Sequence, residues 1–272
     1  MRTIKAISLL TAAVMGCTAL LAGCGKGSDS SSKAEEGAKA SDDGSINKDL
    51  TATELARLLG NGTNLGNTME AYGHKSYSAD TDPESFETLW GQPVTTEEMI
   101  KGMKASGFDS LRVPVAWTNA MEYEKGDYTI NEAYLDRVEK IINYALDNDM
   151  YVIINDHWDG SWWGMFGSSE QSDVDKAFEM YKSMWTQIAN RYKKYSDRLI
   201  FEGANEELGD RLNDTDVCKN SGSLSKAECY EMANKINQTF VDTIRATGGN
   251  NEQRFLLIAG YNTDITMTCS DK

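Results

Sequence analysis

The sequence predicts an α/β fold built on a parallel sheet and closed toward a barrel. From about Leu50 onward, short apolar runs alternate with longer segments of helical periodicity, the pattern of right-handed βαβ units. Polar or aromatic residues crowd the end of each apolar run: Asn64 and Asn67, Arg112 and Trp117, Asn155 and His157, Asn205 and Glu206, then Tyr261. A doubly wound sheet concentrates function at one crevice, whereas function at the end of every strand favours a barrel. The stretch Arg198-Leu-Ile-Phe-Glu-Gly-Ala-Asn-Glu206 adds a carboxylate at the carboxyl end of a buried strand. Alternation along that strand predicts that Glu202, Ala204 and Glu206 share a face.

In chain order, strands are expected at Thr63–Gly66, Ser110–Val115, Tyr151–Asn155, Leu199–Phe201 and Phe255–Ile258. Thr51-Ala-Thr-Glu54 opens a short helix (Leu55, Leu58, Leu59) stopped by Gly60. Thr95-Thr-Glu-Glu98 reads as a capping box for a helix carrying Met99, Ile100 and Met103, ended by Gly107. Leu135, Val138, Ile141, Ile142, Ala145 and Leu146 follow helical spacing, as do Phe178, Tyr181, Met184, Trp185, Ile188 and Tyr192 behind Ser172-Asp-Val-Asp175. Ser225-Lys-Ala-Glu228 caps a helix with Met232, Ile236, Phe240 and Ile244 on one stripe and Gly248 beyond its end. Thr266–Lys272 give no helix signal.

The 272 residues carry 42 acidic against 27 basic side chains, a formal net charge of −15. Such a surface repels phosphate and excludes nucleic acid as a partner, while a neutral sugar polymer is compatible with it. Arg2 and Lys5 precede an uncharged run, Ala6 to Gly23, the pattern of a secretory signal. The run ends Leu21-Ala22-Gly23-Cys24 and resembles the lipobox of bacterial lipoproteins, which implies cleavage before Cys24 and lipidation of its sulfur. The alternative is an uncleaved anchor, for which the run is slightly short. Either way the chain is expected to be tethered to a membrane and to lie outside the cytoplasm. Residues 24–49 have almost no large apolar side chain and are expected to be a flexible linker. Outside the cytoplasm Cys218 and Cys229 are either a structural disulfide or free thiols; their spacing fits no zinc pattern.

Taken together, several segments resemble glycoside hydrolase family 5, the large retaining β-glycanase family that includes many endoglucanases. They are Gly62-Thr-Asn-Leu-Gly-Asn-Thr68, Trp90-Gly-Gln-Pro-Val-Thr-Thr-Glu-Glu-Met99, Gly107-Phe-Asp-Ser-Leu-Arg-Val-Pro-Val-Ala-Trp117, Tyr151 to Asp159, and Phe201-Glu-Gly-Ala-Asn-Glu206. The resemblance runs in the family's order from about Leu50 to Tyr261. It implies a (β/α)8 TIM barrel, no cofactor and no metal. Glu206 would be the general acid/base and Asn205 the partner of the sugar's 2-hydroxyl. Arg112 and His157 would form the polar network under the reacting sugar, with Asn64, Trp117 and Tyr261 as cleft contacts. Aromatic faces stack on sugar rings, and Trp158, Trp162 and Trp163 are candidates to line the cleft. The bland alternatives stay open: Arg112 pairs only with Glu202, and Trp162-Trp163 packs in the core.

A retaining glycosidase needs two carboxyl groups about 5–5.5 Å apart, one attacking the anomeric carbon and one protonating the leaving oxygen. In the family the attacking Glu follows the seventh strand, whereas this sequence ends at Lys272, just after the fifth. The expectation is therefore an incomplete barrel of about five βα units: residues 50–272 as the N-terminal part of a catalytic domain, after a signal peptide at 1–23 and the linker. The nucleophile is expected to be absent from this sequence, which alone would be inactive. The leading function is a retaining endo-β-1,4-glucanase, active in the full-length enzyme. Alternatives are a mannanase, xyloglucanase or lichenase, or a lipid-anchored glycan-binding protein without catalysis. A metal-dependent hydrolase is disfavoured, because neither of the 2 histidines, His74 and His157, has a partner at ligand spacing.

Overall fold

The computed structural model describes residues 42–157, 159, 162–214 and 222–270. Five short strands form one parallel sheet in the order of the sequence: β1 (Gly62–Asn64), β2 (Ser110–Val113), β3 (Tyr151–Asn155), β4 (Leu199–Glu202) and β5 (Leu256–Leu257). Sequential order without reversal is the arc of a barrel wall, and it rules out a doubly wound sheet. Between the strands run α2 (Pro83–Leu89), α3 (Glu97–Ala105), α4 (Glu132–Leu146), α5 (Gln171–Tyr192) and α6 (Lys226–Ala246), with α1 (Ala52–Leu58) before β1 and α7 (Ile265–Cys269) after β5.

The register separates the two faces. Leu111, Val113, Val152, Ile154, Leu199 and Phe201 point outward and are wholly buried under helices whose apolar stripes are the expected ones. Leu135, Val138, Ile141, Ile142, Ala145 and Leu146 of α4 are all buried, and so are Ile236, Phe240 and Ile244 of α6. Trp185 of α5 meets Phe240 edge-on at 4.7 Å between ring centroids. The other face carries the chemistry. Asn64, Arg112, Ile153 and Ile200 lie in one cross-strand row, and Asn155, Glu202 and Leu257 lie one row nearer the carboxyl ends.

Local caps behave as the sequence predicts at α1 and α6, where Thr51–Glu54 and Ser225–Glu228 close reciprocal capping boxes. At α3 the cap shifts by one residue. Thr96 accepts from the Met99 N–H, while Thr95 is buried and donates its N–H to Glu87. Glu87 is held in turn by Arg137 from α4, so Thr95 is committed to a buried ion pair.

Two expectations need correction, and one helix was not expected. The linker does not extend to Asp49, because residues from Asp42 onward dock on the amino end of the sheet. Asp42 accepts from the Ser196 hydroxyl at 2.6 Å, Asn47 donates to Asp197 at 3.0 Å, and Asn250 donates to the Gly44 carbonyl at 2.8 Å. Helix α7 forms where no helix signal was seen, with Asp264 accepting from the Met267 N–H. Helix α2, which has no apolar stripe, starts at the Asp82 cap with Pro83 in its first position. The lipobox and Cys218 lie outside the described residues, and Cys229 is a buried free thiol. At the amino end of β5, Arg254 is fully buried and donates to the carbonyls of Ser196, Leu199 and Tyr195 at 2.6–2.7 Å, tying β5 to the start of β4.

Candidate active site

Arg112 stands at the centre of the inner face. Its Nε donates to Glu202 Oε2 at 2.6 Å and its Nη2 to Glu202 Oε1 at 2.9 Å, a bidentate fork. The same Nη2 reaches Asn205 Oδ1 at 2.9 Å. Arg112 therefore pairs with Glu202 and, through that pairing, also fixes the amide of Asn205.

β4 ends at Glu202, so the alternation expected through Glu206 stops there. Ala204 is wholly buried while the Glu206 side chain is 61% exposed. What positions Glu206 is a pinned loop. Gly203 donates to the Leu257 carbonyl at 3.0 Å and accepts from the Tyr181 hydroxyl at 2.8 Å. A Cβ on Gly203 would lie 2.9 Å from the Phe240 ring, so α6 can approach only a glycine there. Asn205 donates its N–H to Glu207 at 2.7 Å. Further on, Asp210 accepts from the Tyr261 hydroxyl at 2.6 Å and from Asn262 at 2.8 Å, which holds its carboxyl below the usual carboxylate range.

Glu206 lines a cavity of about 330 Å³ with Asn67, Glu70, Trp90, His157 and Asn205. His157 is anchored by its N–H to the Val115 carbonyl at 3.0 Å, and its Nδ1 lies 3.2 Å from the Asn155 amide. Burial and the nearby Arg112 cation push its pKa down to about 4, so the imidazole is neutral at neutral pH. Glu70 accepts the backbone N–H groups of Asn67 and Thr68, and burial raises its pKa. Trp90 is 42% exposed, a large apolar face left open to solvent beside a carboxylate.

With that geometry in place, comparison with known proteins decides the family. The cellulase family, glycosyl hydrolase family 5, matches residues 72–272. The chain belongs to glycoside hydrolase family 5. It is 40% identical over 221 residues to a xyloglucan-specific endo-β-1,4-glucanase of Bacteroides ovatus, covering 80% of this chain and 40% of that protein. A broad-specificity endoglucanase from Clostridium longisporum superposes with a TM-score of 0.70 at 34% identity, covering 82% of this chain and 60% of the other. The corresponding enzyme from Ruminococcus champanellensis, with bound cellotriose, gives 0.69 at 38% identity, covering 82% and 62%. The chain spans about half the length of the curated relatives it matches, 40%, 51% and 54% for three of them.

Within this family 5 chain, Glu206, Asn205 and His157 share one cavity, with Arg112 directly bonded to Asn205. Asn64 lies apart from that cavity, in a hollow of the inner face beside Arg112 and Ile153. Two expected cleft contacts are corrected. Trp117 is wholly buried, donating to the Asn155 carbonyl at 2.8 Å, so it supports β3 and has no face for a sugar. Tyr261 is 3% exposed and stacked on Tyr230 at 3.9 Å; it positions the Glu206 loop through Asp210. Trp162 and Trp163 stack at 4.5 Å inside the core, which settles that pair as packing. Trp158 lies outside the described residues.

Sequence reasoning missed Glu70 as a cavity wall, placed Asn67 only at the end of a strand, and took Trp90 only as part of a motif. Asn67-Thr-Met-Glu70 carries a local signal, a carboxylate two and three residues beyond the N–H groups it accepts. Asp156 and Asp159, flanking the His157 segment, were also missed; both are fully buried. Asp159 accepts from the Thr118 N–H at 3.0 Å and from its hydroxyl, whereas neither oxygen of Asp156 meets a donor in hydrogen-bonding geometry among the described residues. Burial and the neighbouring Asp159 charge raise the Asp156 pKa well above the normal range.

Proposed function

We propose that this chain is the part of a retaining endo-β-1,4-glucanase that carries the proton donor, Glu206, and the groups that orient the sugar beside it. The observation that carries this reading is the placement of Asn205 and Glu206: one amide locked by Arg112, the next carboxyl on the wall of a cavity, 61% exposed and 3.9 Å from the Arg211 guanidinium. A general acid must reach the glycosidic oxygen, and a neighbouring amide held at one end by a guanidinium is set to bond a ring hydroxyl. Neutral His157 adds a donor or acceptor without adding charge. Trp90 presents an apolar face of the kind that packs against a pyranose.

Double displacement also needs an attacking carboxylate. Glu202 has both oxygens engaged by Arg112, and Glu70 is engaged by two backbone N–H groups. We therefore assign the nucleophile to no residue of this sequence and expect the 272 residues alone to bind glucan without hydrolysing it. The Bacteroides relative acts on xyloglucan and the Ruminococcus relative binds cellotriose; by analogy, an unbranched or xylose-branched β-1,4-glucan is the proposed substrate. The sequence around Cys24 supports a lipid anchor holding the enzyme on the outer face of the cytoplasmic membrane or cell surface.

The test is the coding sequence after codon 272 and the product of the protein it encodes. A further strand ending in a glutamate, with β-glucan cleaved to products that are first β at the new reducing end by proton NMR, supports the reading. A stop codon with no turnover of any β-glucan, or products first released as α, contradicts it.

A further inference from the structure

The backbone just after β5 is strained. Asn262 and Thr263 both have a φ of 51°, in the left-handed region. Asparagine tolerates that region, but a β-branched threonine does not, so two such residues in succession need surroundings that hold them there. On one side the segment is moored to α6. Asn237 donates to the Ala259 carbonyl at 2.9 Å, and the Tyr230 hydroxyl donates to the Met267 carbonyl at 3.0 Å. On the other side it grips the loop that carries Glu206.

The grip centres on one residue. The Asn262 N–H donates to the Leu208 carbonyl at 2.8 Å. Its side-chain Oδ1 accepts the Asp210 N–H at 2.8 Å, and its Nδ2 donates to Asp210 Oδ2 at 2.8 Å. A single carboxamide thus engages both the main chain and the carboxylate of Asp210, while the Tyr261 hydroxyl donates to Oδ1 at 2.6 Å. Gly209 admits this approach: its φ is 122°, and a Cβ there would lie 2.2 Å from Asn262 Oδ1. Next in the chain is Arg211, whose Nη1 lies 3.9 Å from Glu206 Oε2.

We propose that Asn262 is a positioning residue for Glu206: it fixes Asp210, and with it the turn that brings Arg211 back to the Glu206 carboxyl. The backbone strain is the cost of carrying the amide to Asp210. The inference rests on the β-glucanase reading and deepens it, because placement of the proton donor then depends on the segment that follows the next strand.

Asn262→Asp tests it, since a carboxyl would then face the Asp210 carboxyl. Adding Asp210→Asn restores the pairing with donor and acceptor exchanged. In hydrogen-exchange mass spectrometry of the 272-residue chain, Asn262→Asp should speed exchange across residues 204–213 about tenfold or more and leave residues 42–58 unchanged. The double variant should recover the protection of the wild type. Cellotriose affinity, by calorimetry, should fall roughly three- to tenfold in Asn262→Asp and return in the double variant. If Asn262→Asp unfolds the chain, Asn262→Ala, which removes both amide bonds without adding a charge, should give the same local loosening. Unchanged exchange at 204–213, or no recovery in the double variant, overturns the latch. Faster exchange with unchanged cellotriose affinity overturns the positioning role. A wild-type chain that binds no cellotriose, with exchange still following the swap, overturns the β-glucanase reading and supports the latch.

Discussion

At the scale of single residues, the site is organised by what surrounds each charge. Arg112 has a bidentate partner in Glu202 and still holds Asn205; His157, beside it, is kept neutral by burial and by that cation. The folded-state pKa of His157 is about 4 against an ordinary 6.5, so on acidification the unfolded chain takes up the proton first. Its contribution to stability should therefore fall as pH drops from about 6.5 to about 4 and level off below. The check is the His157 Cε1–H resonance, assigned by its loss in His157→Gln, together with the difference between the stability–pH profiles of wild type and variant. A midpoint near 4 agrees with the account; a midpoint near 6.5 contradicts the burial assigned to this ring. Residue type alone did not reveal such environments. Trp117 and Tyr261 have the right chemistry for sugar contact and the right place along the chain, yet both point into the protein.

At the scale of elements, the decisive piece is the loop between β4 and α6. A strand was legible at Leu199–Phe201 because three apolar residues bounded by Arg198 and Glu202 have no other stable home. The position of Glu206 was not legible from alternation, because the strand ends four residues earlier and the loop takes its path from Gly203, Glu207 and Asp210. Gly203→Ala tests that path: its methyl group would press on the Phe240 ring and the Tyr181 hydroxyl. We expect a loss of about 1–3 kcal/mol in urea unfolding, accompanied by weaker cello-oligosaccharide binding as the loop shifts. Wild-type stability and binding would show that the loop is not held in this way. Helices α4, α5 and α6 were legible because long amphipathic stripes leave few alternatives. Helices α2 and α7 were not, since neither carries an apolar stripe: α2 buries only Phe86 and Glu87, α7 buries no side chain, and what announces them is an aspartate cap, followed at α2 by Pro83.

At the scale of the whole molecule, a parallel sheet in sequential order predicts its own weakness. Among the described residues β1 and β5 are edge strands, and Leu257 and Ile258 beside the β5 edge are 40% and 59% exposed. Unpaired N–H and C=O groups next to exposed aliphatic side chains are a template for association. The 272-residue chain should therefore self-associate with rising concentration in sedimentation velocity, and Ile258→Lys should reduce that association. A monodisperse monomer at high concentration would contradict this. The sequence made the barrel arc legible through strand-end chemistry repeated at βα spacing.

The central claim, that Glu206 hands a proton to the departing sugar, is most directly tested by the dependence of Glu206→Gln on the leaving group. In the catalytically complete enzyme to which we assign this chain, kcat/KM on cellohexaose should fall by about 10²–10⁴. On dinitrophenyl β-cellobioside, whose leaving group departs without protonation, kcat/KM should stay within about tenfold of wild type, because a missing proton donor costs little when none is required. Equal losses on the two substrates, or near-normal turnover of cellohexaose, would contradict the account.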